Sequence, residues 1–365
     1  MKNPFIPREL PLEDINWPGL IGLIAEASAA LARYDGLLES IPDSEVLLSP
    51  LMTQEAVLSS KIEGTITTLE EVLEFEVDPD ITRGKEADIK EVLNYRRALF
   101  MAKDELKERP CCLNLIKDVQ YILLEGVRGK NKSRGDFRRT QNWIGKPGTP
   151  IEQATYIPPP ADRLSDVLSN WERYYHHDEK ERLVQLAIIH AQFEMIHPFL
   201  DGNGRIGRIL IPIFLYDRRL LNSPVFYISA YFEARRDEYY SRLLAISESN
   251  DWDGWIAYFL KAIIEQAKMN IQKVKSIKQL NDEMRIKISS VTHSRFSVQT
   301  SESLFHQPVF TSTSFIANSR IPKPSAARML KCLVDEGIIS EASPSRGRKP
   351  ARYVFPQLLR IIQND

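Results

Sequence analysis

The stretch of the chain that carries the most chemistry is His197-Pro198-Phe199-Leu200-Asp201-Gly202-Asn203-Gly204-Arg205-Ile206-Gly207-Arg208. Four apolar residues precede it at spacings of three, four and three: Leu186, Ile189, Phe193 and Ile196. This spacing predicts a helix with one buried face. Because Pro198 disfavours the helical conformation at the residue before it, the helix is expected to end at His197 and to project the imidazole from its end.

Gly202, Asn203 and Gly204 form a loop that can bind an anion. These residue types adopt positive φ angles, which lets successive backbone N–H groups converge on one point. A second helix is predicted directly after the loop, with its positive end at the same point. Arg205 and Arg208 lie three residues apart on that helix, hence on one face, and each guanidinium can hold phosphate oxygens in a forked geometry.

His197 and Asp201 add a base and a metal ligand to this loop. A hard carboxylate beside a phosphate cradle is what a Mg²⁺ ion bridging two phosphates requires. Together these residues indicate attack on a nucleotide phosphate, although each alone also suits a turn, a helix cap or a core histidine. The other interpretation is a metal site, because His190, Glu194 and His197 stand at i, i+4 and i+7 on one helical face. That site would leave the two arginines unexplained.

Residues 197–208 resemble the signature of the Fic family, His-Pro-Phe-x-Asp/Glu-Gly-Asn-Gly-Arg-x-x-Arg, at every fixed position. The resemblance implies a mainly α fold, a Fic-type helical core with a small β-hairpin flap. It also implies an enzyme that transfers AMP from ATP to a Tyr, Thr or Ser hydroxyl of a protein and releases pyrophosphate. The target would be another protein or the chain itself.

The resemblance also assigns roles to single residues. His197 would be the catalytic base and Asp201 the Mg²⁺ ligand. The ATP-binding residues would be Gly202, Asn203, Gly204, Arg205, Ile206, Gly207 and Arg208. Three tyrosines after the motif, Tyr231, Tyr239 and Tyr240, suit either the adenine pocket or the core, and Tyr240 is the candidate for the pocket.

Segment 142–158 is predicted to form a β-hairpin, because the helical period lapses there, and the resemblance implies that this hairpin is the flap. The stretches 143–145 and 155–157 flank a turn at Pro147 and Gly148. The resemblance implies that Thr155, Tyr156 and Ile157 dock the target by adding its backbone as an extra strand. An ordinary surface hairpin is the alternative.

Ser59-Ser60-Lys61-Ile62-Glu63-Gly64 resembles the inhibitory pattern of the family, Ser/Thr-x-x-x-Glu followed by Gly or Asn. The predicted helix over about 50–64 ends at Gly64, so Glu63 lies where the negative end of the helix dipole disfavours a carboxylate. The resemblance implies that Arg208 compensates this charge and that Glu63 thereby occupies the clamp for the γ-phosphate of ATP. A solvated terminal glutamate is the alternative.

Residues 289–365 are predicted to form a winged helix-turn-helix domain, with helical patterns at 314–318 and 325–337 and a basic turn at 345–350 before a strand. Between residues 320 and 352 there are eight basic and three acidic residues, a net charge of +5: Arg320, Lys323, Arg328, Lys331, Arg346, Arg348, Lys349 and Arg352 against Asp335, Glu336 and Glu341. DNA is a candidate partner, and protein docking is the alternative. A second function class therefore stands beside the transferase, a DNA-binding regulator whose nucleotide site senses ATP.

Length and composition set the remaining expectations. At roughly 150 residues per domain, 365 residues suggest two or three domains. We expect a helical region over 1–100, in which Thr67 and Glu70 resemble a capping box, a catalytic core over 101–275, and the winged helix.

The net charge of −1 offers no chain-wide attraction to nucleic acid or membrane. No apolar run reaches the roughly 18 residues of a membrane helix, so a cytoplasmic protein is expected, with homodimerisation left open.

Overall fold

The computed structural model describes residues 3–41, 47–79, 84–146, 148–346 and 349–363. The predicted mainly helical fold is confirmed. The helices and strands, numbered along the chain, are α1 Trp17–Glu39, α2 Ser49–Ile62, α3 Leu69–Val77, α4 Glu86–Glu105, α5 Leu113–Leu123, α6 Leu164–Tyr175, α7 Arg182–Ile196, α8 Asn203–Asp217, α9 Ser229–Ala234, α10 Arg236–Ser249, α11 Trp252–Thr292, α12 Ser297–His306, β1 Val309–Thr311, α13 Ser312–Ser319, α14 Lys323–Asp335, β2 Ser340–Ser343, β3 Arg352–Val354 and α15 Pro356–Gln363. Within the described ranges, no helix is both long and apolar enough to cross a membrane.

Helix α7 lies at the centre of the core and positions the motif that follows it. Nearly every one of its residues is buried, on all sides rather than on the single face that the spacing predicted. Two tryptophans fix its backbone. Trp171 in α6 donates to the Ile189 carbonyl at 2.9 Å, and Trp255 in α11 donates to the Ala187 carbonyl at 2.8 Å. These two hydrogen bonds therefore hold the backbone of α7 in place, and the motif begins at the end of a fixed helix.

Helix α2 runs as predicted from Ser49, with Pro50 in its first turn, and Gly64 follows its end with a φ of +91°. Because this φ lies in the left-handed region, glycine is the residue that terminates the helix without strain. Helix α2 packs against α4 and α9. These contacts bring its last turn to the start of α8.

The capping box of α3 lies one residue later than predicted. The Thr68 hydroxyl accepts from the Glu71 N–H at 3.3 Å, and the Glu71 carboxylate accepts from the Thr68 N–H at 3.0 Å. Two threonines followed by two glutamates allow either register. Burial of Leu69, Val72 and Leu73 selects the later one.

The predicted flap is less regular than a hairpin. Ile144 and Tyr156 form a single antiparallel bridge, in which the Ile144 N–H donates to the Tyr156 carbonyl at 2.9 Å. A short 3-10 helix, Ile151–Gln153, lies between them. The prolines at 150 and 158–160 have no N–H that could extend the ladder. The predicted turn residue Pro147 lies outside the described residues.

The carboxyl-terminal unit contains a three-stranded antiparallel sheet in the order β1-β3-β2, with α13 and α14 between the first two strands of the sequence. Helix α11 runs unbroken to Thr292, so no helix ends near residue 275, where the core was predicted to stop. Gly347 and Arg348 of the predicted basic turn lie outside the described residues.

This unit packs against the amino-terminal region, with α15 on α2 and β1 on α3. Arg352 pairs with Glu74 at 3.5 Å, and Lys349 pairs with Asp78 at 3.3 Å. Two of the eight cations counted from the sequence therefore face acids some 270 residues away in the chain. The local net charge of this surface is lower than the count predicted.

The central position of α7 makes stability sensitive to its packing. Ile189 is fully buried, whereas Ile286 in α11 is 74% exposed. We expect Ile189→Ala to lower the free energy of unfolding by about 2–5 kcal/mol, and the matched control Ile286→Ala to change it by less than about 0.5 kcal/mol. Urea denaturation followed by circular dichroism measures both. Equal losses would contradict this position for α7.

Candidate active site

Helix α7 ends at His197, whose backbone is left-handed, with φ 47° and ψ 58°. The imidazole Nδ1 lies 3.3 Å from the Glu194 carbonyl. Because a carbonyl oxygen only accepts, Nδ1 carries the proton and Nε2 keeps a free lone pair. Burial lowers the pKa of His197 to about 4, although the nearby Glu63 and Asp201 carboxylates act in the opposite direction. The imidazole is therefore neutral at pH 7, as a general base must be.

Two residues that the sequence did not single out hold the backbone at His197. Arg138, which is 2% exposed, donates from Nε to the His197 carbonyl at 3.0 Å. Asn142 donates from Nδ2 to the same carbonyl at 3.2 Å and to the Phe199 carbonyl at 3.0 Å. They satisfy carbonyls that the end of a helix leaves unpaired. The sequence offers no signal that distinguishes a buried arginine such as Arg138 from a surface one.

The predicted loop is shorter than expected, because only Gly202 has a left-handed backbone, with a φ of +87°, and Asn203 and Gly204 already belong to the first turn of α8. Asn203, however, faces the loop itself rather than an anion. Its Oδ1 accepts from the Phe199 N–H at 2.9 Å, and its Nδ2 donates to the Phe199 carbonyl at 2.8 Å. At Gly204 a Cβ would lie 2.2 Å from Glu63 Oε1. The missing side chain thus lets a carboxylate approach the first turn of α8.

Arg208 lies beside that carboxylate and is almost fully buried. It donates from Nη2 to Glu63 Oε1 at 2.7 Å, and from Nε to the Ser59 hydroxyl at 2.8 Å. Burial alone would raise the pKa of Glu63, but the charge and hydrogen bond of Arg208 bring that pKa below its ordinary value. Burial likewise opposes the charge on Arg208, and Glu63 nevertheless raises the pKa of the guanidinium. The predicted contact between Glu63 and Arg208 is present as a charged pair.

Arg205 does not face the same point as Arg208, contrary to the prediction from spacing. It pairs with Glu91 in α4 at 3.0 Å, and both side chains are 2% exposed. Its second contact is Asp201, at 3.4 Å. Glu91 also accepts from the Thr65 hydroxyl at 2.8 Å. Glu91, which the sequence did not mark as functional, therefore links Arg205 of the motif to Thr65 in the segment after α2.

Asp201 presents its carboxylate at the edge of the loop with 18% of the side chain exposed. Lys132 lies 3.1 Å from its Oδ2, and Arg205 contacts Oδ1. One accessible carboxylate is the usual protein contribution to a Mg²⁺ site that is completed by water and substrate phosphates. The donor set at Asp201 therefore fits the ion that the sequence predicted.

A single cavity brings together residues that the sequence predicted from four separate segments: Glu63, Thr155, Tyr156, His197, Gly204, Arg208 and Tyr240. Tyr156 is held at its rim by donating from its hydroxyl to the Met195 carbonyl at 2.8 Å. Other predicted residues lie in the core instead. Ile157, Ile206, Gly207 and Tyr231 are buried there.

The alternative metal site does not form. His190 is fully buried, with Nδ1 donating to the Gly207 carbonyl at 3.0 Å and Nε2 accepting from the Tyr239 hydroxyl at 2.8 Å. Both ring nitrogens are occupied, so neither can ligate a metal. Burial raises the pKa of Glu194 to about 8, so this carboxyl is mostly protonated at pH 7. Among the residues that the structure describes, no three His, Cys, Asp or Glu side chains are arranged to hold a metal ion.

Comparison with known families agrees with this site. A family model described as Fic/DOC family N-terminal matches residues 21–104, and the Fic/DOC family model matches residues 110–215, which include the whole motif. The chain belongs to the Fic/DOC family. The Fic/DOC region thus spans α1 to most of α8.

Relatives of this Fic/DOC chain carry the name protein adenylyltransferase. A probable protein adenylyltransferase of Aquifex aeolicus is 27% identical over 181 residues, 49% of this chain and 52% of that protein. The protein adenylyltransferase Fic of Drosophila grimshawi is 31% identical over 80 residues, 21% of this chain and 15% of that protein. The chain therefore matches about half of the first relative and a smaller part of the second.

Solved structures share the fold. A Fic family protein of Desulfovibrio desulfuricans superimposes with a TM-score of 0.60 at 19% identity, over 96% of this chain and 98% of that one. Fic-1 of C. elegans superimposes with a TM-score of 0.54 at 18% identity, over 71% of this chain and 74% of that one. At these identities the likeness concerns the fold.

The neutral state of His197 can be measured directly. We expect its imidazole to titrate near pH 4, well below an ordinary histidine, because burial disfavours the charged ring. Removing the Glu63 charge in Glu63→Gln should lower that pKa further, since this carboxylate favours the imidazolium. Two-dimensional NMR of the ring resonances, assigned with His197→Gln, measures both values. A titration near pH 6.5 would contradict the burial of this ring.

Proposed function

We propose that this Fic/DOC chain is a protein adenylyltransferase, which transfers AMP from ATP to a hydroxyl side chain of a protein and releases pyrophosphate. The observation that carries the proposal is the neutral His197, with Nε2 unprotonated, in one cavity with Arg208 and the start of α8. A site that only sensed ATP would need the anion contacts but not the base. The adenylyltransferase names of the relatives support the same reaction.

In this mechanism His197 takes the proton of the target hydroxyl at Nε2, and the oxygen attacks the α-phosphorus in line. The bond to the bridging oxygen breaks, and its electron pair leaves with pyrophosphate. Arg208 and the N–H groups at the start of α8 hold the phosphates. Asp201 would hold Mg²⁺, which neutralises phosphate charge when bound. Arg205, paired with Glu91, positions Asp201 rather than binding ATP directly.

The contact of Glu63 with Arg208 supports inhibition by the chain's own helix α2. The carboxylate lies against Gly204 and holds the guanidinium, so it takes the place where an outer phosphate would bind. Ser59 contributes two further hydrogen bonds to Arg208, at 2.8 and 2.9 Å. ATP binds productively only when Glu63 gives up this contact.

The remaining elements have supporting roles in the proposal. Thr155 and Tyr156, at the rim of the cavity, present the flap backbone to the target. Tyr240, which is 41% exposed in the cavity, contacts the adenine. Segment 297–363 is a winged helix, which the order β1-β3-β2 and the paired helices α13 and α14 support. Since Lys349 and Arg352 already face acids, DNA binding has less charge available than the sequence suggested.

Labelled ATP tests the reaction. With the purified chain and a cell extract as the source of targets, we expect protein to retain label from the α-phosphate and none from the γ-phosphate. His197→Ala should abolish this labelling, whereas His306→Ala, at the end of α12 outside the cavity, should leave it unchanged. Label retained only from the γ-phosphate would indicate kinase-like transfer. Label from neither position, even with Glu63→Gly, would overturn the proposal.

A second pair of variants tests the inhibition. We expect Glu63→Gly to raise the initial rate of AMP transfer at least about tenfold, because one charged hydrogen bond to Arg208 is worth about 1.5–3 kcal/mol. Glu105→Gly makes the same substitution at the end of α4, away from the cavity, and serves as the control. Equal rates for the wild type and Glu63→Gly would refute inhibition by Glu63.

A further inference from the structure

The loop between α5 and the flap, residues 126–135, lies against Asp201 and has no role in the mechanism above. Gly129 has a φ of +88°, and a Cβ at this position would lie 2.8 Å from Asp201 Oδ2. The loop backbone therefore touches the carboxylate, which only a glycine permits at this conformation.

Gln120 in α5 ties the same loop to the motif. This side chain is fully buried. Its Oε1 accepts from the Gly135 N–H at 2.5 Å, and its Nε2 donates to the Asp201 backbone carbonyl at 3.3 Å. Gln120 thus links the carboxyl-terminal end of the loop to the backbone of the predicted Mg²⁺ ligand.

The loop places one mobile cation on that ligand. Lys132 Nζ lies 3.1 Å from Asp201 Oδ2, and the lysine side chain is 54% exposed. Its backbone N–H donates to the Gly129 carbonyl at 2.8 Å, which fixes the base of the side chain. Arg205, the other cation on Asp201, is buried and paired with Glu91. Lys132 is consequently the partner that can move away.

We propose that Lys132 is a further phosphate-binding residue, which pairs with Asp201 when no nucleotide is bound and with the β- and γ-phosphates of bound ATP. The inference rests on the proposed function, since it takes Asp201 as the metal ligand. An ammonium and a divalent cation compete for the same carboxylate oxygen, so a Mg²⁺ ion held by Asp201 would displace Lys132. The phosphates whose charge this ion would neutralise would then be available to the ammonium as its new partner.

Lys132 also supports the leaving group. When the target oxygen bonds to the α-phosphorus, the bond between that phosphorus and the bridging oxygen breaks. The electron pair remains on pyrophosphate, whose charge the ammonium stabilises without changing its own protonation. Lysine suits this exchange because its charge sits at the end of a flexible chain with three donors.

Binding measurements on the full chain test the exchange without any transfer reaction. Lys132→Met and the control Lys130→Met, which removes an equal charge from an exposed position in the same loop, are compared in a Glu63→Gly background. Mn²⁺ alone is titrated by electron paramagnetic resonance, and pyrophosphate is titrated by calorimetry with Mn²⁺ held at a saturating concentration. We expect Lys132→Met to bind Mn²⁺ about two- to fivefold more tightly, because its competitor is gone. It should bind pyrophosphate about tenfold more weakly, because a charged donor is lost.

The proposal is supported if Lys132→Met changes these two affinities in opposite directions and Lys130→Met changes neither. Lys132→Arg should bring both affinities back toward the wild-type values. If either change is missing, or if both ligands bind more weakly, Lys132 is only a counter-ion or a support of the loop, and the proposal is wrong. These readouts are separate from those of the transferase. If both affinities change as expected but Glu63→Gly transfers no AMP, the proposed enzyme activity is wrong while the proposed phosphate-binding role of Lys132 is retained.

Discussion

A guanidinium that is almost completely removed from water must have an anion beside it, and Arg208 meets this requirement at the meeting point of α2 and α8. Glu63 supplies the anion here, at 2.7 Å, and Ser59 accepts two further hydrogen bonds from the guanidinium. Phosphate offers the same charge and the same acceptor geometry. In the proposed mechanism, helix α2 and a nucleotide therefore compete for this one buried guanidinium.

The second buried arginine has the opposite character. Arg205 pairs with Glu91, which is itself buried, so neither charge is available to a ligand. Breaking such a pair costs several kcal/mol because one buried charge stays uncompensated. The pair fixes the orientation of Asp201 on one side and of the segment after α2, through Thr65, on the other. Two arginines three residues apart thus have different partners: Arg208 pairs with the partly exposed Glu63, and Arg205 pairs with the buried Glu91.

Charge in the carboxyl-terminal unit is also redistributed by packing. Glu74 in α3 and Asp78 directly after it follow α2 closely in the chain, and they face Arg352 and Lys349 of the sheet region. The unit is therefore attached to the helical region that carries Glu63 by ion pairs as well as by the packing of α15 on α2. Part of the positive charge of this unit is therefore paired with acids of the same chain.

The sequence by itself determined the helical class, the end of α7 at His197, the course of α2 to Gly64 and the family. These features depend on local spacing, on proline and glycine conformations, and on a motif confined to twelve residues. Contacts between distant segments were decided only by the tertiary structure. It turned Asn203 inward to Phe199, directed Arg205 to Glu91, and reduced the flap to one bridge. Each of these contacts forms because a polar group that is buried by packing needs a hydrogen-bond or charge partner. Which groups are buried, and which partners lie near them, is decided only when the helices pack together.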